Sequence, residues 1–144
     1  MGAQVLSPNE TELARLTGLP TADASGAVSE PLVLAAAAKL QSSGVREVLV
    51  KLGVDGSLLV PPAPAAPLRQ RALLAPAVVD TTGAGDCFTA AYAVALTEGA
   101  AAQAALRFAS AAACLCVQRL GAMPSLPHRE EVDALLAAQP PATA

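Results

Sequence analysis

Glycine and proline cut this chain into short apolar runs, and that punctuation limits what it can become. Val5-Leu6-Ser7 is a brief extended piece ended by Pro8. Asn9 stands where a helix cap belongs, ahead of Glu10-Thr11-Glu12-Leu13-Ala14-Arg15-Leu16, and Gly18 closes that helix. Ser29-Glu30-Pro31 opens a second helix with proline in its first turn, running through four alanines to Lys39 and Leu40 before Gly44. Glu47 to Leu52 is short and β-branched, which predicts a strand. Gly53-Val54-Asp55-Gly56 turns, and Ser57 to Val60 returns beside it as a hairpin-like pair. The run from Pro61 to Pro67 reads as loop or sheet edge. Ala77-Val78-Val79 predicts a small strand leading into Asp80. Ala-rich helices are expected from there to about Thr97 and from Ala101 to Gln118, with a last one from Glu130 to Ala138. No segment repeats. Alternating strands and helices predict an α/β fold.

Composition removes several functions. The 144 residues are one domain's worth, and 53% hydrophobic content is too apolar for disorder. Lys39, Glu47, Lys51, Asp80, Asp86, Glu98 and Arg107 break every stretch before it reaches the ~18 apolar residues of a membrane span. Met1-Gly2-Ala3-Gln4 has no basic region ahead of an apolar core, so a cytoplasmic protein is expected. A net charge of -3 offers no basic patch, so nucleic acid is not the expected partner. Cys114 and Cys116, two apart on a helix, do not face one ligand, and His128 alone cannot complete a zinc set. With Cys87 they read as small buried hydrophobes; nothing nearby suggests an activated nucleophile.

The segment that carries chemistry is Val79-Asp80-Thr81-Thr82-Gly83-Ala84-Gly85-Asp86-Cys87-Phe88. A strand, a Gly-rich turn and a helix start follow one another. The helix N-terminus presents unpaired backbone N–H groups and the positive dipole end, and two glycines let a bulky anion approach. A P-loop would need a lysine after the glycines, and there is none. A dinucleotide fingerprint would need Gly or Ala where Phe88 stands, and Asp86 would oppose the pyrophosphate. A phosphotransferase fits better: the amides steady the transferring phosphoryl while Asp86 takes the proton of the attacking alcohol. Spacing alone leaves a second reading of Asp86 open, an acid that stabilises the helix dipole. Spacing alone also favours a capping box for Asn9 and Glu12, and for Asp80 it allows a carboxylate capping the next turn.

Asp80 to Phe88 closely resembles the second signature of the ribokinase-like (PfkB) sugar and nucleoside kinases. Pro8-Asn9-Glu10-Thr11-Glu12 looks like the family's N-x-x-E motif, and Val50 to Gly56 resembles its nucleotide-contacting strand and turn. Ala105 to Ala109 and Arg119 to Ser125 resemble its adenine-side helix and the loop after it. The tail Leu126 to Val132 is similar to the ribokinase branch. The match covers nearly the whole chain.

The resemblance implies the C-terminal part of a ribokinase-like three-layer α/β/α sandwich with a mostly parallel sheet, a single partial domain over residues 1–144. It implies transfer of the ATP γ-phosphoryl to a primary sugar hydroxyl, most readily that of ribose. Asp86 resembles the catalytic base, and Gly83, Ala84 and Gly85 the anion hole. Lys51, Leu52, Gly53, Val54, Asp55 and Gly56 resemble the segment along the nucleotide, with Gly85 and Asp86 beside it and Ser110 near the adenine. Asn9 and Glu12 look like the pair that organises Mg²⁺ and phosphate through water. A monovalent cation (K⁺) would lie at positions corresponding to Asp80, Thr82, Cys116, Arg119, Gly121 and Ser125. Most of these would bind through backbone carbonyls, because hard cations want oxygen. The match begins near the family's midpoint. The Gly-rich sugar signature and the small β lid that mediates the family's homodimer are not found in it. The alternative is therefore a catalytically incomplete nucleotide-binding remnant or a partner module.

Overall fold

A computed structural model describes residues 4–139. Its contacts divide the chain into two compact units, one ending at Arg71 and one beginning at Ala72.

The first unit holds strands β1 (Val5–Leu6), β2 (Glu47–Lys51), β3 (Ser57–Val60) and β4 (Leu68–Gln70), in that spatial order. Helices α1 (Glu10–Thr17) and α2 (Glu30–Ser42) lie between β1 and β2 in sequence. That connection is long enough for a parallel pair, and Leu6 stands opposite Val48. The next two pairings are antiparallel, with Val50 opposite Leu58 and Leu58 opposite Arg69. The expected mostly parallel sheet is therefore mixed in the described residues. The reason is local: Gly53–Asp55 forms one 3-10 turn and Gly56 takes a positive φ of 92°, so the chain reverses too quickly for a crossover. Strand β4 was not expected, since Leu-Arg-Gln has no β-branched residue; pairing to β3 creates it.

Leu13, Val33, Ala36, Ala37 and Leu40 from the helices pack on Val48, Val50, Leu58 and Val60 of the sheet. A fully buried Leu or Val contributes roughly 1.5–3 kcal/mol relative to an exposed one. Leu49 and Leu59 point to the opposite face and are buried too, which is why both strands read as unbroken apolar runs.

The second unit is helical: α3 (Ala84–Thr97), α4 (Ala102–Cys116) and α5 (Arg129–Ala138). The strand expected at Ala77–Val79 is absent. Val78 and Val79 are exposed, and the Val79 amide donates to the Val117 carbonyl at the end of α4 (2.8 Å). A β-branched pair makes a strand only where a neighbouring strand accepts its amides. Alanines and small residues let α3 and α4 pack closely, burying Cys87, Ala111, Ala112 and Cys116 with Val132 of α5. All three cysteines are free and buried, as expected. Arg129 anchors α5: it pairs with Glu98 and stacks 4.8 Å from the Phe108 ring centroid. Among the described residues no helix is long and apolar enough to cross a membrane.

Candidate active site

In the first unit, the candidate residues gather where the parallel strands β1 and β2 end, the edge at which open α/β sheets bind ligands. Lys51 sits beside Asn9 in a parallel bridge, its amide donating to the Pro8 carbonyl (2.9 Å) and its ammonium to the Ser7 carbonyl (2.7 Å). Asn9 caps α1. Its side-chain oxygen accepts from the Glu12 amide, and the Glu12 carboxylate accepts from the Asn9 amide, both at 2.8 Å. The capping box favoured by spacing alone is thus present. The turn after Lys51 is tied by the Leu52 amide donating to the Gly56 carbonyl (2.8 Å). The Leu52 side chain is core, whereas Val54 is 87% exposed. Asp55 and Leu52 line a hollow of about 210 Å³ together with Val28, Glu30 and Arg69.

The second unit holds the Gly-rich turn. Gly83 takes a left-handed φ of 78° and opens α3, which has no side-chain cap. The Ala84 amide donates to Thr81 (3.2 Å) and the Cys87 amide to Gly83 (2.8 Å). The amides of Gly83, Gly85 and Asp86 have no acceptor among the described residues, as a helix start requires of an anion cradle. The Asp86 carboxylate is exposed and has no hydrogen-bond partner there either.

Asp80 lies before this turn. One carboxylate oxygen accepts from the Thr82 amide and the other from the Gly121 amide, each at 2.9 Å. The Thr82 hydroxyl and amide, and then the Gly121 amide, hold its carboxyl below the usual carboxylate range. The turn-capping role is therefore real, and about one of the four acceptor sites of a carboxylate remains. Cys116 is fully buried; its carbonyl accepts from the Arg119 amide (3.2 Å) and its thiol meets the Ser125 hydroxyl (3.1 Å). Arg119 turns its guanidinium away to Glu131 of α5. Ser110 is buried, its hydroxyl accepting from the Leu73 amide (3.0 Å). Burial, with Cys116 alongside, pushes the Cys87 thiol up to about 12, so it is no nucleophile.

Sequence reasoning missed Ala122. A Cβ built on Gly83 would lie 3.2 Å from both its Cα and its Cβ, so Ala122 is the wall against which the turn sits. No residue-type signal marks such a wall. Among the described residues no three His, Cys, Asp or Glu cluster as a metal site.

The pattern of a pfkB family carbohydrate kinase matches residues 1–129. The chain belongs to the pfkB family of carbohydrate kinases. Within that family it is 53% identical to the ribokinase of Arabidopsis thaliana over 132 residues, covering 92% of this chain and 33% of the relative. It is 41% identical to the ribokinase of Bacillus subtilis over 134 residues, covering 93% and 40%. The solved structure of Arabidopsis thaliana ribokinase complexed with ribose and ATP superposes with a TM-score of 0.83 at 52% identity, covering 92% of this chain and 40% of that one. The chain is therefore a ribokinase-fold α/β segment spanning 33% to 40% of the length of these pfkB relatives.

Proposed function

We propose that this chain is the nucleotide-binding and phosphoryl-transfer portion of a ribokinase-type kinase, acting from ATP on a primary sugar hydroxyl, with ribose the favoured acceptor. The observation that carries the reading is the uncapped start of α3: amides of Gly83, Gly85 and Asp86 without acceptors, and a free Asp86 carboxylate beside them. Asp86 removes the hydroxyl proton as the acceptor attacks, and the Gly83–Gly85 turn stabilises the negative charge that develops on the phosphoryl oxygens. Lys51 and the Leu52–Gly56 turn line the nucleotide, with Ser110 on the adenine side.

Asn9 and Glu12 orient water around Mg²⁺, which when bound neutralises phosphate charge. In that role Glu12 uses the carboxylate oxygen left over from its capping bond. The oxygen-rich set of Asp80, Thr82, Gly121 and Ser125, with the carbonyls of Cys116 and Arg119, suits a monovalent cation such as K⁺. A cytoplasmic location belongs to the same proposal, in keeping with three unpaired cysteines.

The coverage of 33% to 40% of the relatives supports a second reading, a nucleotide-binding module that needs another polypeptide segment to grip the sugar. ATP-dependent ribose phosphorylation by the purified 144-residue chain, with Asp86→Asn as control, separates the two. The module reading gives no turnover above the control. Turnover that falls by at least ~10²-fold in Asp86→Asn, the usual worth of a general base, places acceptor binding within this chain. Turnover unchanged by Asp86→Asn refutes the role of Asp86 in both.

A further inference from the structure

The Asp80 carboxylate joins two segments far apart in sequence. Its bond to the Thr82 amide is a local turn of the kind Asp forms two residues ahead. Its bond to Gly121 spans 41 residues and needs another explanation. The same seam carries more. The amides of Val79 and Asp80 both donate to the Val117 carbonyl, at 2.8 and 3.2 Å. Gly83 rests on Ala122, where a Cβ would make tight 3.2 Å contacts. The Ser125 hydroxyl donates to the Ala122 carbonyl (2.7 Å), so the Cys116 thiol donates to the Ser125 oxygen (3.1 Å). Both sides of the seam are thereby fixed, the 117–125 side by a buried serine.

We propose that Asp80 is a positioning residue that staples the Gly83–Gly85 turn to the 117–125 loop, setting the free amides at the start of α3 whether or not a cation is bound. This rests on reading that turn as a phosphoryl site. The two glycines give the Gly-Ala-Gly turn more backbone freedom than residues with a Cβ would. Donors that must meet developing charge work only when held in place beforehand. Charge-assisted hydrogen bonds are roughly twice as strong as neutral ones, and Asp80 places one at the turn and one on the loop opposite.

Residue-resolved amide exchange on the chain and on Asp80→Asn, in choline chloride and in potassium chloride, tests the staple. Asparagine has one acceptor oxygen where Asp80 has two, and its NH₂ group would face the second amide. Wild-type protein should protect the Gly121 amide in both salts. Asp80→Asn should speed exchange at Gly121 and Ala84 by about tenfold or more in both, the size of one lost charge-assisted bond, leaving Val132 unchanged. Mg·ATP affinity should weaken by a similar factor in both salts.

A rise within about twofold at Gly121 overturns the proposal. So does a rise at Thr82 alone, which would make Asp80 a local cap, or an effect confined to potassium, which would make it a cation ligand only. Should Asp80→Asn not fold, the wild type decides alone: an unprotected Gly121 amide in choline overturns the staple. Failure of wild-type protein to bind Mg·ATP counts against the phosphoryl-site reading and leaves the exchange result to judge the staple.

Discussion

Replacing Gly83 by alanine tests how the turn is seated. Gly83 has φ of 78°, where an L side chain costs roughly 1–2 kcal/mol. The new Cβ would also meet the Cα and Cβ of Ala122 at 3.2 Å, inside the optimum of about 3.5–4.0 Å for carbon pairs. Forcing that wall back adds about 1–3 kcal/mol, as overpacking does. Alanine returns about 0.4–1 kcal/mol by restricting the unfolded chain. The net loss is about 1.5–4 kcal/mol, a melting temperature lower by roughly 5–12 °C for a chain of this size.

Gly18 supplies the control. Its φ is 69° and nothing lies within 4 Å of its would-be Cβ, so Gly18→Ala carries the backbone cost alone, roughly 2–4 °C. Adding Ala122→Gly to Gly83→Ala removes the Cβ contact but leaves the Cα one, so it should recover part of the difference, read as a double-mutant cycle from thermal unfolding followed by circular dichroism. Equal losses for the two glycines, or no recovery in the double variant, would refute the wall.

Asn9→Ala should lower stability by about 1 kcal/mol, the worth of a helix N-cap, measured by urea unfolding; no change would mean that the Asn9–Glu12 box contributes nothing. The Arg119 guanidinium and then the His128 amide hold the Glu131 carboxyl below its ordinary value of 4.5. A depressed carboxyl stabilises the fold above its unfolded value and loses that contribution as pH falls through its folded value. The melting temperature should therefore drop on acidification below pH 4.5, and Glu131→Gln should flatten that slope; parallel acid slopes would contradict the assignment.

Residues whose behaviour is set by near neighbours were legible in the sequence. Gly18 stops α1 because only glycine enters the left-handed cap cheaply, and Asn9 starts it because its side chain reaches the Glu12 amide. The Gly83–Asp86 turn was readable for the same reason. What depended on distant partners was not. Leu68–Gln70 becomes a strand only because β3 offers its edge, and Val78–Val79 fails to become one because Val117 takes the Val79 amide. Asp80 was assigned to a cation by resemblance, while its bond to Gly121 is a tertiary fact that spacing does not carry. Ala122 matters through position, not through residue type.

Isothermal titration of Mg·ATP into the folded chain bears most directly on the assignment of a nucleotide site to these residues. Saturable binding is expected, nearly intact in Asp86→Asn and weakened in Gly83→Ala, since the proposal gives the phosphate to the amides and the acceptor to the carboxylate. Absence of binding to protein shown to be folded by circular dichroism would contradict the account, as would binding that Gly83→Ala leaves untouched.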